Sequence, residues 1–149
     1  MVAKKAKAKT ARRGTKSSNS AQKGSSLQFF NSPKTRPLPF SDAVRVGNLL
    51  YVSGQIGVDE NFQLAPGGIL AEAHRALENM SAVLKRNGSS LDHVIKCNVM
   101  LVDMNEWDAL NTVYISFFDK NRLPARSAFA GSGLAMGARV EIDCIALVK

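Results

Sequence analysis

Val94-Ile95-Lys96-Cys97-Asn98-Val99-Met100-Leu101-Val102 is the stretch that decides the fold. It is rich in β-branched residues and carries apolar side chains on both alternating faces. Ile95, Cys97, Val99 and Leu101 share one face, and Val94, Met100 and Val102 share the other. This predicts a strand buried on both sides. On its N-terminal side, Leu70, Ala73, Leu77, Met80 and Leu84 recur at three- and four-residue steps, which predicts an amphipathic helix over 70–86. Gly88, just past Asn87, is placed to end it, and Lys85 and Arg86 suit the negative end of the helix dipole. On the C-terminal side, Asp103 or Asn105 caps a second helix over 106–119, with Trp107, Leu110, Tyr114 and Phe117 as its buried stripe.

Further outward the pattern is β-like. Val44–Val46 and Leu49–Val52 flank Gly47-Asn48, a pair that reads as a tight hairpin turn. Residues 57–68, marked by Pro66, Gly67 and Gly68, form a loop. After Pro124 come a short strand over 127–130, a glycine-rich loop and a last strand over 139–148, where Val140, Ile142, Cys144, Ala146 and Val148 alternate. The order ββαβαββ predicts an α+β two-layer sandwich, a mixed sheet covered on one face by two helices. Two helices cover only one face of a sheet, yet the last strand sets Ile145 and Leu147 beside Glu141 and Asp143 on its other face. A sheet face left half apolar is expected to meet another subunit.

The chain has 149 residues and a formal net charge of +8, but that charge is unevenly placed. Ten of the twenty Lys and Arg residues lie between Lys4 and Arg36, whereas from Asp42 onward ten basic and twelve acidic residues give a net of −2. Residues 1–35 carry almost no large apolar side chain before Leu27, Phe29 and Phe30, so a disordered basic tail is expected. Its acid-free Lys/Arg/Ser composition resembles an organelle transit peptide, and would equally suit a nuclear signal or a loose nucleic-acid contact. A cytoplasmic or a mitochondrial or other organellar matrix location follows as the expectation. No apolar segment follows the basic start as a secretory signal requires, and no apolar run is long enough for a membrane span. Pro37 and Pro39 predict an extended lead-in over 36–40. Cys97 and Cys144 form no CxxC pair, and His74 and His93 lie in no metal-ligand pattern, so neither a disulfide framework nor a metal site is expected. The two cysteines read as packing residues, with redox sensitivity open for one near a cleft.

A set of motifs occurs in order along the domain. It comprises Pro39-Phe40-Ser41-Asp42-Ala43, Gly47-Asn48-Leu49-Leu50-Tyr51-Val52-Ser53-Gly54-Gln55-Ile56, Val94-Ile95-Lys96-Cys97 and Asn111-Thr112-Val113-Tyr114. Phe117-Phe118, Leu123-Pro124-Ala125-Arg126-Ser127 and Val140-Glu141-Ile142-Asp143 complete it. Together these resemble the Rid (YjgF/YER057c/UK114) family of reactive-intermediate imine deaminases, with the resemblance running over 36–149. It implies a chorismate-mutase-like fold and a homotrimer with clefts between subunits. It also implies hydrolysis of 2-imino or enamino acids to 2-oxo acids and ammonia without a metal or organic cofactor.

Position by position, the resemblance makes Arg126 the carboxylate-binding residue and Glu141 the acidic site residue. Ser53, Gly54, Asn111, Ala128 and Phe40 join the substrate-binding set. Two positions depart from the family pattern: Phe40 stands where a tyrosine is common, and Ala128 where a cysteine is common. The residue types fit the chemistry. A planar, always-charged guanidinium grips a carboxylate in bidentate fashion, which orients the imine carbon. A nearby carboxylate can direct or deprotonate water, a role worth roughly 10²–10⁴-fold. The alternatives are an RNA-acting or translation-inhibiting protein, and a non-catalytic carboxylate-binding or chaperone-like trimer. The slightly acidic domain, with no basic patch interleaved with aromatics, argues against nucleic acid as the main partner.

Overall fold

The computed structural model describes residues 26–149. The charged stretch expected to be disordered therefore lies, up to residue 25, outside the described residues. Six strands and two helices follow: β1 (Leu27–Phe30), β2 (Ala43–Val46), β3 (Leu49–Ile56), α1 (Ile69–Arg86), β4 (Val94–Leu101), α2 (Trp107–Phe117), β5 (Ala125–Ala130) and β6 (Val140–Leu147). They form one mixed sheet in the order β1-β2-β3-β6-β4-β5, antiparallel except for the β4–β5 pair. The strand at 94–102 thus sits inside the sheet between β6 and β5.

Four expectations need correction. First, the sheet begins at Leu27, inside the stretch assigned to the tail, because Leu27–Phe30 pairs with Ala43–Val46 and Phe30 packs against the core. An average over a charged segment hides a four-residue run with three apolar side chains, and an edge strand needs little more than a ladder and one anchor. Second, residues 36–40 are not extended. Ser32 O accepts from the backbone N–H groups of Thr35 (3.1 Å) and Arg36 (2.9 Å), and Thr35 O accepts from Leu38 (2.9 Å), which winds the chain into turns. The hydroxyls of Ser32 and Thr35, 2.9 Å apart, close that turn from within.

Third, β4 is buried on one face only. Val94, Cys97, Val99 and Leu101 are buried, whereas Ile95 is 44% exposed. A register shift between Val94 and Lys96 against β6 breaks the alternation and turns Ile95 outward. Fourth, α1 buries Ala76 and Val83 together with Ala73, Leu77, Met80 and Leu84, while Leu70 at its first turn is half exposed. On α2, Leu110 and Tyr114 are buried, but Trp107 and Phe117 only partly so.

The remaining elements follow the sequence except at strand ends, where β3 runs four residues past Val52 to Ile56 and β5 begins at Ala125 rather than 127. Gly47 turns the β2–β3 hairpin at φ 60°, and Gly88 follows α1 at φ 77°, both in the left-handed region that favours glycine. Asp103 accepts from the N–H of Asn105 (2.9 Å) and starts the 3₁₀ turn that leads into α2. Both helices lie on one face, closing a core around Leu50, Leu77, Met80, Leu84, Leu101, Leu110 and Ile142, all essentially inaccessible to solvent. Val140, Ile142, Cys144 and Ala146 point into that core, and Glu141, Asp143, Ile145 and Leu147 point to the uncovered face.

Candidate active site

The sequence-predicted residues fall into two groups on opposite faces of the sheet. On the uncovered face, β3 breaks register between Val52 and Gln55, so that Ser53 and Gly54 bulge at the strand's end. Glu141 on β6 reaches over this bulge. A β-carbon placed on Gly54 would lie 1.8 Å from Glu141 Oε1, so the carboxylate occupies the space that any other side chain would fill. Burial and the charge of Asp143 raise the Glu141 carboxyl above its ordinary value. Asp143 in turn accepts from Asn98 Nδ2 at 2.8 Å. No cation is paired with Glu141 among the described residues; Arg139, at the head of β6, is paired with Glu106 instead. A half-buried, unpaired carboxylate with a raised pKa is equipped to take a proton from water.

Ser53 and Phe40 frame this end of the sheet. The Ser53 hydroxyl donates to Ser41 O at 2.6 Å and its N–H to Asp42 O at 3.0 Å, which fixes the Phe40–Ser41 segment beside the bulge. Gln55 donates to Ser53 O at 3.0 Å. Phe40 itself is 49% exposed, and its carbonyl accepts from Asn31 Nδ2.

On the helix-covered face, at the β5 edge, Arg126 is registered with Cys97 of β4 and points toward α2. Its guanidinium carbon lies 4.8 Å from the centre of the Trp107 ring and 4.6 Å from that of Tyr114. It makes no ion pair with a carboxylate among the described residues. Asn111, one turn after Trp107 on the same face, has its side-chain oxygen buried without a hydrogen-bond partner there, and so does the Tyr114 hydroxyl. Ala128, registered with Val99, faces the same way as Arg126 and adds no polar atom.

The sequence expectation made Trp107 part of a buried stripe and Tyr114 core or interface, and the structure sets both rings against Arg126. The i, i+4, i+7 spacing of Trp107, Asn111 and Tyr114 is the signal that joins them. Cys97 and Cys144 face one another across β4 and β6, and both are buried. Burial pushes the Cys97 thiol up to about 11 and raises that of Cys144 as well. Thiols so raised hold little thiolate at neutral pH, which favours packing over redox chemistry.

The two groups do not meet within one chain. Arg126 is registered with Cys97 and Glu141 with Met100, so they are separated by two strand spacings and three residues along β4. With about 4.8 Å per strand and about 3.3 Å per residue, their backbones are roughly 14 Å apart in the plane of the sheet. Their side chains then leave opposite faces.

The profile of the endoribonuclease L-PSP family matches residues 32–148. The 2-iminobutanoate/2-iminopropanoate deaminase of Mus musculus is 43% identical over 110 residues, covering 73% of this chain and 81% of the mouse protein. The crystal structure of RidA from the Antarctic bacterium Psychrobacter sp. PAMC 21119 superposes with a TM-score of 0.75 at 35% identity, covering 81% of this chain and 99% of that one. E. coli TdcF with bound serine superposes with a TM-score of 0.69 at 31% identity, covering 74% and 89% of the two chains. Family profile, relatives and fold agree with the ordered motifs from Pro39 to Asp143: the chain belongs to the Rid family, the endoribonuclease L-PSP family of its matching profile.

Proposed function

We propose that this chain hydrolyses 2-imino acids to 2-oxo acids and ammonia, at a site assembled from the Arg126 group of one copy and the Glu141 group of another. The observation that carries this reading is the state of Arg126: a guanidinium against two aromatic rings, with no carboxylate paired to it among the described residues. Such a group takes a planar anion in bidentate fashion. Its neighbour Asn111 offers an unused side-chain oxygen that would accept from the N–H of a protonated imine. Relatives named imine deaminases, at 43% identity, point to the same reaction class.

The chemistry is short. Water adds to the carbon of the protonated C=N, and Glu141 accepts the proton that water releases and hands it to the amine nitrogen. The C–N bond then breaks as the hydroxyl oxygen forms the C=O, and the hydroxyl's proton passes to the departing ammonia, so that one iminium and one water give one oxo acid and one ammonium ion. Arg126 orients the substrate through its carboxylate, and Glu141 orients the water. Since the two lie on opposite faces, a small imino acid meets both only if a second copy lends the missing half. The uncovered face supports such an assembly: Leu27, Phe29, Tyr51 and Phe129 are between 44% and 65% exposed there, alongside Ile145 and Leu147. We infer a closed homotrimer, in keeping with the family resemblance, and a folded unit that extends from Leu27 to the C-terminus. The basic residues before Asp42 leave a loose nucleic-acid contact as a secondary property.

The test couples an amino-acid oxidase, which releases imino acids, to separate detection of ammonia and oxo acid. The expected result is acceleration by the protein that vanishes in Arg126→Ala and falls strongly in Glu141→Gln. Absence of acceleration with every imino acid, while 2-oxobutanoate still binds, would refute turnover and favour the non-catalytic carboxylate binder.

A further inference from the structure

The geometry points to Trp107 and Tyr114 as positioning residues: an aromatic clamp that fixes the plane of Arg126 and leaves its N–H edge free for the substrate. This inference rests on the carboxylate-binding reading of Arg126 and adds what makes that arginine selective. An arginine at the end of an edge strand has four side-chain torsions to settle, and no acceptor in the described chain settles them. Two rings do so instead. The guanidinium carbon is 4.8 Å from the Trp107 centroid and 4.6 Å from the Tyr114 centroid, both within the range of cation–π attraction. Trp107 and Tyr114 are seven residues apart on α2, two turns of one helix face, so a rigid element sets the spacing of the clamp.

Tyr114 is itself held. It is 3% exposed, and its ring stacks on Phe118 with centroids 4.7 Å apart and planes inclined by 38°. Phe118, Tyr114 and the guanidinium of Arg126 therefore stand in one chain of contacts, with Trp107 as its outer member. Only planar guanidinium stacks in this way while keeping a bidentate edge, so the clamp rejects lysine as a substitute for Arg126. Ring contacts of this kind use the faces of the cation and leave its edge unpaired, which suits an anion that must come and go.

Ring faces, rather than side-chain volume or the phenol, are what this role needs, and that separates it from simple packing. The experiment compares Trp107→Phe with Trp107→Leu and Tyr114→Phe with Tyr114→Leu. Affinity for 2-oxobutanoate is read by calorimetry, KM and kcat in the oxidase-coupled assay, and the Arg126 Nε–H resonance by NMR. The two Phe variants are expected to keep affinity and KM within about threefold of the parent. The two Leu variants are expected to weaken 2-oxobutanoate binding and raise KM about tenfold, with kcat changed much less, as the loss of one cation–π contact implies. The Arg126 Nε–H signal, displaced by ring currents in the parent, should return toward an ordinary arginine position in the Leu variants.

If the Leu and Phe variants bind alike and Arg126→Ala abolishes binding, the clamp is overturned while the carboxylate-binding role of Arg126 stands. If Arg126→Ala binds 2-oxobutanoate as the parent does, that role fails and the clamp falls with it. Should Trp107→Leu fail to fold, the Phe and Leu variants at Tyr114 decide, and an unmoved Arg126 resonance in Tyr114→Leu overturns the proposal.

Discussion

Gly54→Ala should act as a catalytic mutation although Gly54 has no side chain. A β-carbon at that position would stand 1.8 Å from Glu141 Oε1, 2.7 Å from Cδ and 2.9 Å from Cγ, where ordinary contact begins at 3.4 Å. The carboxylate must therefore retreat by about 1.6 Å. The three nearest atoms all belong to the flexible Glu141 side chain, so the methyl group is accommodated by moving that side chain. Gly54 is not among the positive-φ residues, so alanine meets no backbone strain there. Loss of chain entropy in the unfolded state then stabilises the variant by about 0.4–1 kcal/mol, against the small cost of moving Glu141. A displacement of about 1 Å at a reacting group costs roughly 10²-fold in rate. The expected result is a kcat lowered about 100-fold with KM within threefold and a melting temperature no lower than the parent's. Kinetics in the oxidase-coupled assay and a calorimetric melt read both quantities. In a Glu141→Gln background the same substitution should cost almost nothing further, because both changes act on one group. A Gly54→Ala protein with parental kcat, or two mutations whose effects multiply in full, would refute the placement of Glu141 in the chemistry.

Gly57→Ala makes the contrast: its β-carbon would meet the backbone of Glu72 at 2.5–2.9 Å, so α1 must shift, and urea unfolding should show a loss of about 3 kcal/mol. Glu141→Gln should raise the melting temperature at pH 7 and leave it unchanged near pH 4. The reason is that a carboxyl raised above its ordinary 4.5 favours the folded state only while protonated, a contribution lost as pH rises through the folded pKa. By the same shift, the acid limb of the pH–rate profile should lie above the ordinary carboxylate value. Arg126→Lys should raise KM about 10- to 100-fold, because a point charge replaces a bidentate fork; steady-state kinetics with two imino acids checks it. Ile145→Glu, on the uncovered face, should lower the sedimenting mass and the activity together while the monomer fold, read by circular dichroism, persists.

The elements that were legible in the sequence are those whose periodicity a core enforces. α1, α2 and β6 each bury one continuous stripe, so the three- and four-residue steps of α1 and the alternation of Val140, Ile142, Cys144 and Ala146 carry over almost unchanged. β1 was hidden because three of its four side chains stay exposed and its stability comes from backbone pairing with β2, which leaves no trace in composition. The shift at Ile95 was hidden for a related reason. A bulge is a property of two strands in register, and Val94 reads as an outward position until its partner Ala146 is known. The turns at 32–38 depend on which carbonyl Thr35 and Arg36 reach, and prolines constrain only the residues next to them.

The site shows the same division more sharply. Arg126, Glu141, Gly54 and Asn111 stand out in sequence through motifs that resemble those of the family. What the motifs do not reveal is the face from which each side chain leaves the sheet. Arg126 and Ala128 share a face with Val99, whereas Glu141 alternates with Val140 and Ile142, and a single residue of register would have put all of them together. The register observed places the proposed site residues on both the covered and the uncovered face, and the apolar side chains around Glu141 would gain from burial by a second copy for reasons unrelated to catalysis. One arrangement of copies can satisfy both needs. Burial of the uncovered face would then bring a carboxylate to a guanidinium that has none paired with it among the described residues. Association and turnover would become one equilibrium, with the aromatic faces of Trp107 and Tyr114 keeping Arg126 ready for it.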